Sequence, residues 1–271
     1  MPKKKKIVVK IGSSLLANSE KLTLRYAFMN GLMSDLAQLQ KEGHDIILTS
    51  SGSVALGLNM VDKRPEDAGI LDKQAAAACG QPLLMNAYRQ VASEHDMDVA
   101  QMLVTVDDME DRRRFLNIKN TMYRLFENDI VPILNENDSI ATRDLRVGDN
   151  DRLSAKIAQM VEADALIILT SVDGLYNIDP SDPNAEFIAE IDDVSEHLES
   201  TTSISALGSG GMLTKMHAAN MAQNAGVETI IAEGIIERPV SSVLKNERRF
   251  TRCLVTGAPA SPLTVWLRTP L

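Results

Sequence analysis

The sequence is poor in several residue types that build common sites. Two cysteines, Cys79 and Cys253, occur among 271 residues. That is too few for a disulfide framework or a cysteine zinc set, and a reducing compartment is the default. The four histidines, His44, His95, His197 and His217, fall in no metal-ligand spacing, and no Ser–His–Asp arrangement can be assembled from them. Basic residues are outnumbered, 28 − 37 = −9, with a pI of about 5.0. This argues against a general nucleic-acid binder, which carries a basic face, but leaves room for a small basic pocket that takes an anion. No run approaches the roughly 18 apolar residues of a membrane span. Lys3 to Lys6 resemble the start of a signal peptide, but Lys10 interrupts the apolar stretch and no cleavage pattern follows. They read instead as a solvated lead-in to a first strand, with a membrane or nucleic-acid patch as the alternative. The expected setting is the cytoplasm.

What is present is ordinary for a soluble, folded enzyme. The 44% hydrophobic and 24% charged fractions exclude disorder and collagen-like sequence. Short apolar runs alternate with helical periodicity. Ile7–Val9, Ile46–Leu48, Val99–Val104, Ile130–Leu134, Ala165–Leu169 and Val227–Ala232 read as strands. Thr23–Glu42 reads as a helix that stops at Gly43, with Leu32, Leu36 and Leu39 on one face. Ala75–Ala78 and Leu83–Ala92 read as two helices separated by Gly80 and Pro82. Arg112–Asn128, a segment bearing Leu153, Ile157, Met160 and Val161, and Met212–Gln223 complete the helices. A hairpin or excursion is expected after Leu169, and the tail beyond Arg252 reads as edge strands. Continuous apolar strands alternating with helices predict an α/β fold with a central, mainly parallel sheet, in one domain.

In such sheets ligands bind beyond the carboxyl ends of the strands. Four polar segments fall there. Lys10-Ile11-Gly12-Ser13-Ser14 puts a lysine at the end of an apolar strand, costly unless it faces a charge. Ser50-Ser51-Gly52-Ser53 offers close backbone approach and a helix start. Asn135-Glu136-Asn137-Asp138 and Gly148-Asp149-Asn150-Asp151 lie in one long polar stretch, suited to binding an ammonium, holding a metal or orienting lysines; it lacks the Ca²⁺-loop spacing. Gly208-Ser209-Gly210-Gly211-Met212-Leu213-Thr214-Lys215 opens a helix with the composition of a phosphate cradle. It is neither a P-loop nor a dinucleotide fingerprint. Arg112-Arg113-Arg114, flanked by Asp107, Asp108, Glu110 and Asp111, reads as a self-paired helix start. Two lysines and several anion-binding loops, with no histidine base, fit phosphoryl transfer to an already ionised nucleophile, where positioning and charge stabilisation do most of the catalysis.

These segments, together with Gln101-Met102-Leu103 through Asp111-Arg112, Arg114-Phe115-Leu116-Asn117 and Gly174-Leu175-Tyr176, resemble the amino acid kinase superfamily and, within it, the glutamate 5-kinase family. The likeness runs in order over about residues 7–235. It implies a three-layer αβα sandwich in a single domain, with an amino-acid lobe over about 1–165 and a nucleotide lobe over about 166–271. It also implies ATP-dependent phosphorylation of the γ-carboxylate of L-glutamate, the first step of proline biosynthesis. Lys10 and Lys215 would flank the transferring phosphoryl group, with Asp151 orienting both. Ser51, Gly52, Asp138, Asp149 and Asn150 would hold glutamate. Lys10, Gly12, Ser13, Thr170, Ser171, Ser209, Gly210, Gly211, Met212, Leu213, Thr214 and Lys215 would line the ATP site. Ser171 stands where the family commonly carries aspartate. Mg²⁺ would be held mainly by ATP phosphates. Proline as feedback inhibitor, a homo-dimer or homo-tetramer, and a partner glutamate-5-semialdehyde dehydrogenase are further implications, with no nucleic acid and no membrane. Many glutamate 5-kinases carry a C-terminal PUA domain; here the kinase motifs occupy nearly the whole 271 residues, leaving the expectation that it is lacking. The alternatives are a related acceptor (acetylglutamate, aspartate, carbamate or a nucleoside monophosphate) or a non-catalytic sensor on the same fold.

Overall fold

The computed structural model describes residues 4–18, 23–141, 149–198 and 210–255. In chain order the elements are β1 (Lys6–Ile11), α1 (Ser13–Leu16), β2 (Ala17–Asn18), β3 (Thr23–Leu24), α2 (Tyr26–Lys41), β4 (Asp45–Thr49) and α3 (Ser53–Gly57). There follow α4 (Ile70–Ser93), β5 (Asp98–Val104), α5 (Val106–Glu110), α6 (Arg112–Phe126), β6 (Ile130–Glu136), α7 (Asp149–Val161) and β7 (Ala165–Thr170). The last are β8 (Leu175–Tyr176), β9 (Phe187–Ile188), β10 (Glu190–Ile191), α8 (Gly210–Asn224), β11 (Glu228–Glu233), α9 (Ser241–Leu244) and β12 (Thr251–Cys253).

Eight strands form one sheet in the order β10-β12-β11-β7-β1-β4-β6-β5. Every pairing from β11 to β5 is parallel, and only β12 runs against its neighbour β11. Strands β1 and β7 are buried along almost their whole length, as their unbroken β-branched and leucine runs require of a sheet covered on both faces. Side chains alternate across a strand, and β1 divides accordingly. Ile7, Val9 and Ile11 pack with Leu32, Leu36 and Leu39 of α2 and with Leu84, Tyr88 and Val91 of α4. Val8 packs on the opposite face with Met122 of α6, Leu153 and Ile157 of α7, and Met216 and Ala219 of α8. The result is the expected αβα sandwich. Between α2 and α9 the buried carboxylate of Asp35 accepts hydrogen bonds from the backbone N–H groups of Val240 (2.8 Å) and Ser241 (3.0 Å), which explains why an acid is tolerated inside that layer.

Three expectations need correction. The helix expected over Thr23–Glu42 starts at Tyr26, because Thr23 and Leu24 pair with Asn18 and Ala17 as a small antiparallel ribbon. The two helices expected on either side of Gly80 and Pro82 are one continuous helix, α4. Pro82 removes one helical hydrogen bond, but it lies on the exposed side, where water can reach the Ala78 carbonyl it leaves unpaired. Gly80 is there for a contact, not a break. A Cβ built at Gly80 would lie 1.8 Å from the carbonyl oxygen of Ser53, so only glycine lets α3 dock on α4 at this distance. The tail expected as edge strands contributes β12, which is flanked on both sides by β10 and β11; Val265 and Trp266 lie outside the described residues. The expected excursion is the β8–β9 hairpin.

The Gly80 contact makes a direct prediction. Gly80→Ala must displace α3 and is expected to destabilise the protein by about 1–3 kcal/mol in urea unfolding, the usual range for forcing a methyl group into a packed interface. An unchanged midpoint would show that α3 is free to move away.

Candidate functional site

The carboxyl ends of four adjacent strands, β7, β1, β4 and β6, carry the polar segments singled out from sequence. Register sets them level, with Lys10 opposite Thr49 on one side and Ile168 on the other, and Thr49 opposite Leu134. Lys10 shares the face of Val8, so its side chain points towards the α7–α8 layer. There its Nζ lies 2.6 Å from Asp151 Oδ1. Lys215, on the second turn of α8, brings its Nζ to 3.4 Å from Asp151 Oδ2 and donates to the carbonyl of Gly211 at 3.0 Å. The hydroxyl of Thr214 lies 2.7 Å from Asp151 Oδ2 and 2.9 Å from the Gly211 carbonyl. All three ionisable groups are buried, Asp151 to 1% exposure.

Two ammoniums on one carboxylate leave a buried net charge of +1, which calls for an anion. The electrostatics follow from the geometry. Burial works against ionisation of Asp151, yet Lys10 and Lys215 together, helped by Thr214, hold its carboxyl below the usual range. Burial likewise pushes the Lys215 ammonium below its ordinary value; Asp151 opposes that, and Lys10 adds to it. Asp151 also sits in the first turn of α7, where the helix dipole favours negative charge.

On the β4–β6 side the site is rich in amides and hydroxyls, with the acids Glu136 and Asp138 at and just beyond the end of β6. Gly52 adopts φ +112°, a left-handed conformation open to glycine, and turns the chain from β4 into α3. Asn150 Nδ2 donates to Ser51 Oγ (2.8 Å) and to Asn135 Oδ1 (3.0 Å). Ser53 Oγ donates to Asp138 Oδ2 at 3.3 Å. The loop after β4 is held further by Ser50, whose N–H donates to the Leu134 carbonyl and whose hydroxyl lies 2.9 Å from that of Tyr88. On the β7 side, Gly12 N–H donates to the Leu169 carbonyl, and Thr170 and Ser171 follow directly.

Of the residues expected from sequence, Lys10, Lys215, Asp151 and Thr214 meet in one cluster. Ser51, Gly52, Asp138 and Asn150 meet in a second. Gly12, Ser13, Thr170 and Ser171 sit at the ends of β1 and β7, while Gly210, Gly211, Met212 and Leu213 form the first turn of α8, which opens two residues before the expected start at Met212. Ser209 and the side chain of Asp149 lie outside the described residues. Arg114 pairs with Asp108 at 2.8 Å, as its self-paired reading required. Among the described residues, no three His, Cys, Asp or Glu side chains gather to hold a metal ion. Sequence reasoning missed Gln81, and gave no individual role to Ser53, Gln101 or Asn135 although each lies in a segment it named. A glutamine at helical spacing with Ala77, Leu84 and Tyr88, on the buried face of the helix, was the available signal for Gln81.

A family model described as the amino acid kinase family matches residues 5–233. The chain belongs to the amino acid kinase family. It is 41% identical over 263 residues to a glutamate 5-kinase of Bradyrhizobium diazoefficiens, covering 96% of this chain and 69% of that protein. It is 40% identical over 266 residues to a glutamate 5-kinase of Paramagnetospirillum magneticum, covering 97% and 71%. The fold also matches the carbamate kinase of Giardia lamblia solved with AMP-PNP, at a TM-score of 0.68 and 20% identity over 94% of this chain and 100% of that one. The UMP kinase of Ureaplasma parvum matches at a TM-score of 0.65 and 16% identity, over 93% and 99%.

Removing the shared carboxylate should be damaging. Asp151→Asn leaves two buried ammoniums facing each other and is expected to lower stability by about 3–5 kcal/mol, the range for breaking a buried pair. The folded-state pKa of Asp151 is depressed, so its contribution is present above its ordinary unfolded value and is lost as pH falls through the lower folded value. Acid titration of unfolding should therefore show a loss of stability below about pH 4 that is smaller in Asp151→Asn. Equal acid slopes for the two proteins would remove Asp151 from this role.

Proposed function

We infer that the chain transfers the γ-phosphoryl group of ATP to the γ-carboxylate of L-glutamate, giving L-glutamyl 5-phosphate, the first step of proline biosynthesis. The observation that carries the reaction class is the pair of ammoniums held on Asp151. A buried site with net positive charge and no histidine suits a polyanion transferred to a nucleophile that is already ionised. The acceptor is supported by about 40% identity to glutamate 5-kinases over nearly the whole chain.

In this reading a γ-carboxylate oxygen attacks the γ-phosphorus as the bond to the ADP oxygen breaks, and no proton has to be removed. Lys10 and Lys215 neutralise charge on the phosphoryl oxygens, and Asp151 keeps the two ammoniums together before the nucleotide arrives. Ser51, Gly52, Asn150 and the carboxylates of Asp138 and Asp149 hold glutamate, the acids taking its ammonium. Gly12, Ser13, Thr170, Ser171 and the segment Ser209 to Lys215 line the nucleotide. This division puts the amino acid on the side of β4 and β6 and ATP on the side of β7 and α8. Asp151 oxygens are engaged by Lys10 and Thr214, so Mg²⁺ would enter with ATP, held by the nucleotide and not by this carboxylate, and would supply screening of phosphate charge. Proline inhibition, assembly as dimers or tetramers, a cytoplasmic setting and hand-over of the labile acyl phosphate to glutamate-5-semialdehyde dehydrogenase belong to the same reading, supported by the family relationship. No helix of the described residues is long and apolar enough to cross a membrane.

The test is ADP release across a panel of acceptors: glutamate, acetylglutamate, aspartate, carbamate and nucleoside monophosphates. Glutamate alone is expected to support turnover, with γ-glutamyl hydroxamate formed when hydroxylamine is added. Lys10→Ala and Lys215→Ala should each lower kcat by about 10²–10³-fold, as loss of a transition-state charge donor does. Turnover with another acceptor and none with glutamate would sink the assignment, and parent-like lysine variants would sink the mechanism.

A further inference from the structure

Four side-chain amides from four different elements form one hydrogen-bonded chain beneath the Ser51–Asn150 pair. Asn150 on α7 donates through Nδ2 to Asn135 Oδ1 on β6 at 3.0 Å. Asn135 donates through Nδ2 to Gln81 Oε1 on α4 at 2.9 Å. Gln81 donates through Nε2 to Gln101 Oε1 on β5 at 3.5 Å. Every link runs in the same sense, so each amide dipole reinforces the next. Asn135 and Gln81 are buried, and their polar atoms depend on these partners. Asn135 Nδ2 also lies 3.4 Å from Ser53 Oγ, the hydroxyl that meets Asp138.

The same helix sets the height of the whole pocket floor. Gly80 lets the Ser53 carbonyl touch α4, Gln81 takes the Asn135 amide, and Tyr88, two turns further along the same buried face, meets Ser50. Of these three, Gln81 is the one whose side chain bonds to β6, at Asn135, which in turn accepts from Asn150 of α7; Asp138 follows the end of β6 by two residues.

We propose that Gln81 is a positioning residue for the acceptor: by fixing which way the Asn135 amide faces, it fixes the amide of Asn150 and the hydroxyl of Ser53, and through them the acceptor's polar contacts. Gln81 touches neither the acceptor nor the phosphoryl group. The inference rests on the reading that Asn150, Ser51 and Asp138 hold the amino acid. It separates acceptor binding from nucleotide binding, because no link of the chain reaches Lys10, Asp151 or Lys215.

The experiment measures KM for the acceptor and for ATP, kcat and thermal unfolding in Gln81→Leu, Gln81→Glu and Gln101→Ala. The acceptor is glutamate, or whichever compound the panel identifies, so a wrong acceptor overturns the proposed reaction without deciding the role of Gln81. Gln81→Leu removes the acceptor for the Asn135 amide and is expected to raise the acceptor KM about tenfold, the value of one buried hydrogen bond, with ATP KM within about twofold. Gln81→Glu keeps an oxygen facing Asn135, and Gln101 can turn its amide to donate, so its acceptor KM should return to within about threefold of the parent. Gln101→Ala, at the exposed end, should raise acceptor KM about two- to threefold and leave ATP KM alone; if Gln81→Leu does not fold, this variant decides. An unmoved acceptor KM, equal rises in both KM values, or a Glu variant as impaired as the Leu variant would overturn the proposal.

Discussion

One carboxylate orders this site. Without Asp151, Lys10 and Lys215 would be two buried like charges held by rigid elements, and each would be driven away or deprotonated. With it, a strand and two helices are tied at one point, and the residual charge is a single positive unit aimed at the carboxyl edge of the sheet. The same interaction explains why a lysine is tolerated near the end of a buried strand. It faces an acid, not the apolar core that its neighbours Val9 and Ile11 enter from the other face.

Around that tie the two halves of the pocket are chemically unlike. Towards α8 the contacts are charged or come from a helix start. Towards β4 and β6 they are mostly hydroxyls and amides, with Glu136 and Asp138 as acids. Under the proposed function, the charged half would stabilise the phosphoryl group and the hydrogen-bonding half would select the amino acid. Lys10, on the central strand β1, is tied to the charged half through Asp151.

Much of this was legible in sequence, for particular reasons. Apolar runs such as Ile7–Val9 and Ala165–Leu169 are buried on both faces, so their composition alone separates them from half-exposed strands. Lys10, Ser51, Asp138, Asp151 and Lys215 all follow or open such elements, where polar residues have few other uses. What was not legible depends on tertiary contact. Gly80 and Pro82 look like a helix break, since local propensity opposes a helix there, and only docking of α3 on α4 reveals that the glycine serves an approach between backbones. Gln81, Asn135 and Gln101 are uncharged and sit inside regular elements. Their significance lies in pairings across 54 and 20 residues that no local pattern encodes.

The tie between Lys10, Asp151 and Lys215 spans a strand near the beginning of the chain, a helix more than half the chain away, and a second helix 64 residues beyond that. None of these can be brought together until β1 has found its place between β4 and β7, two parallel pairings with long crossovers of the kind that form late and slowly. Until then the chain has no paired ammoniums, and the core on the α2–α4 face lacks Ile7, Val9 and Ile11. Catalytic competence should be acquired in one step near the end of folding, and regain of activity after dilution from denaturant would report completion of the sheet instead of collapse.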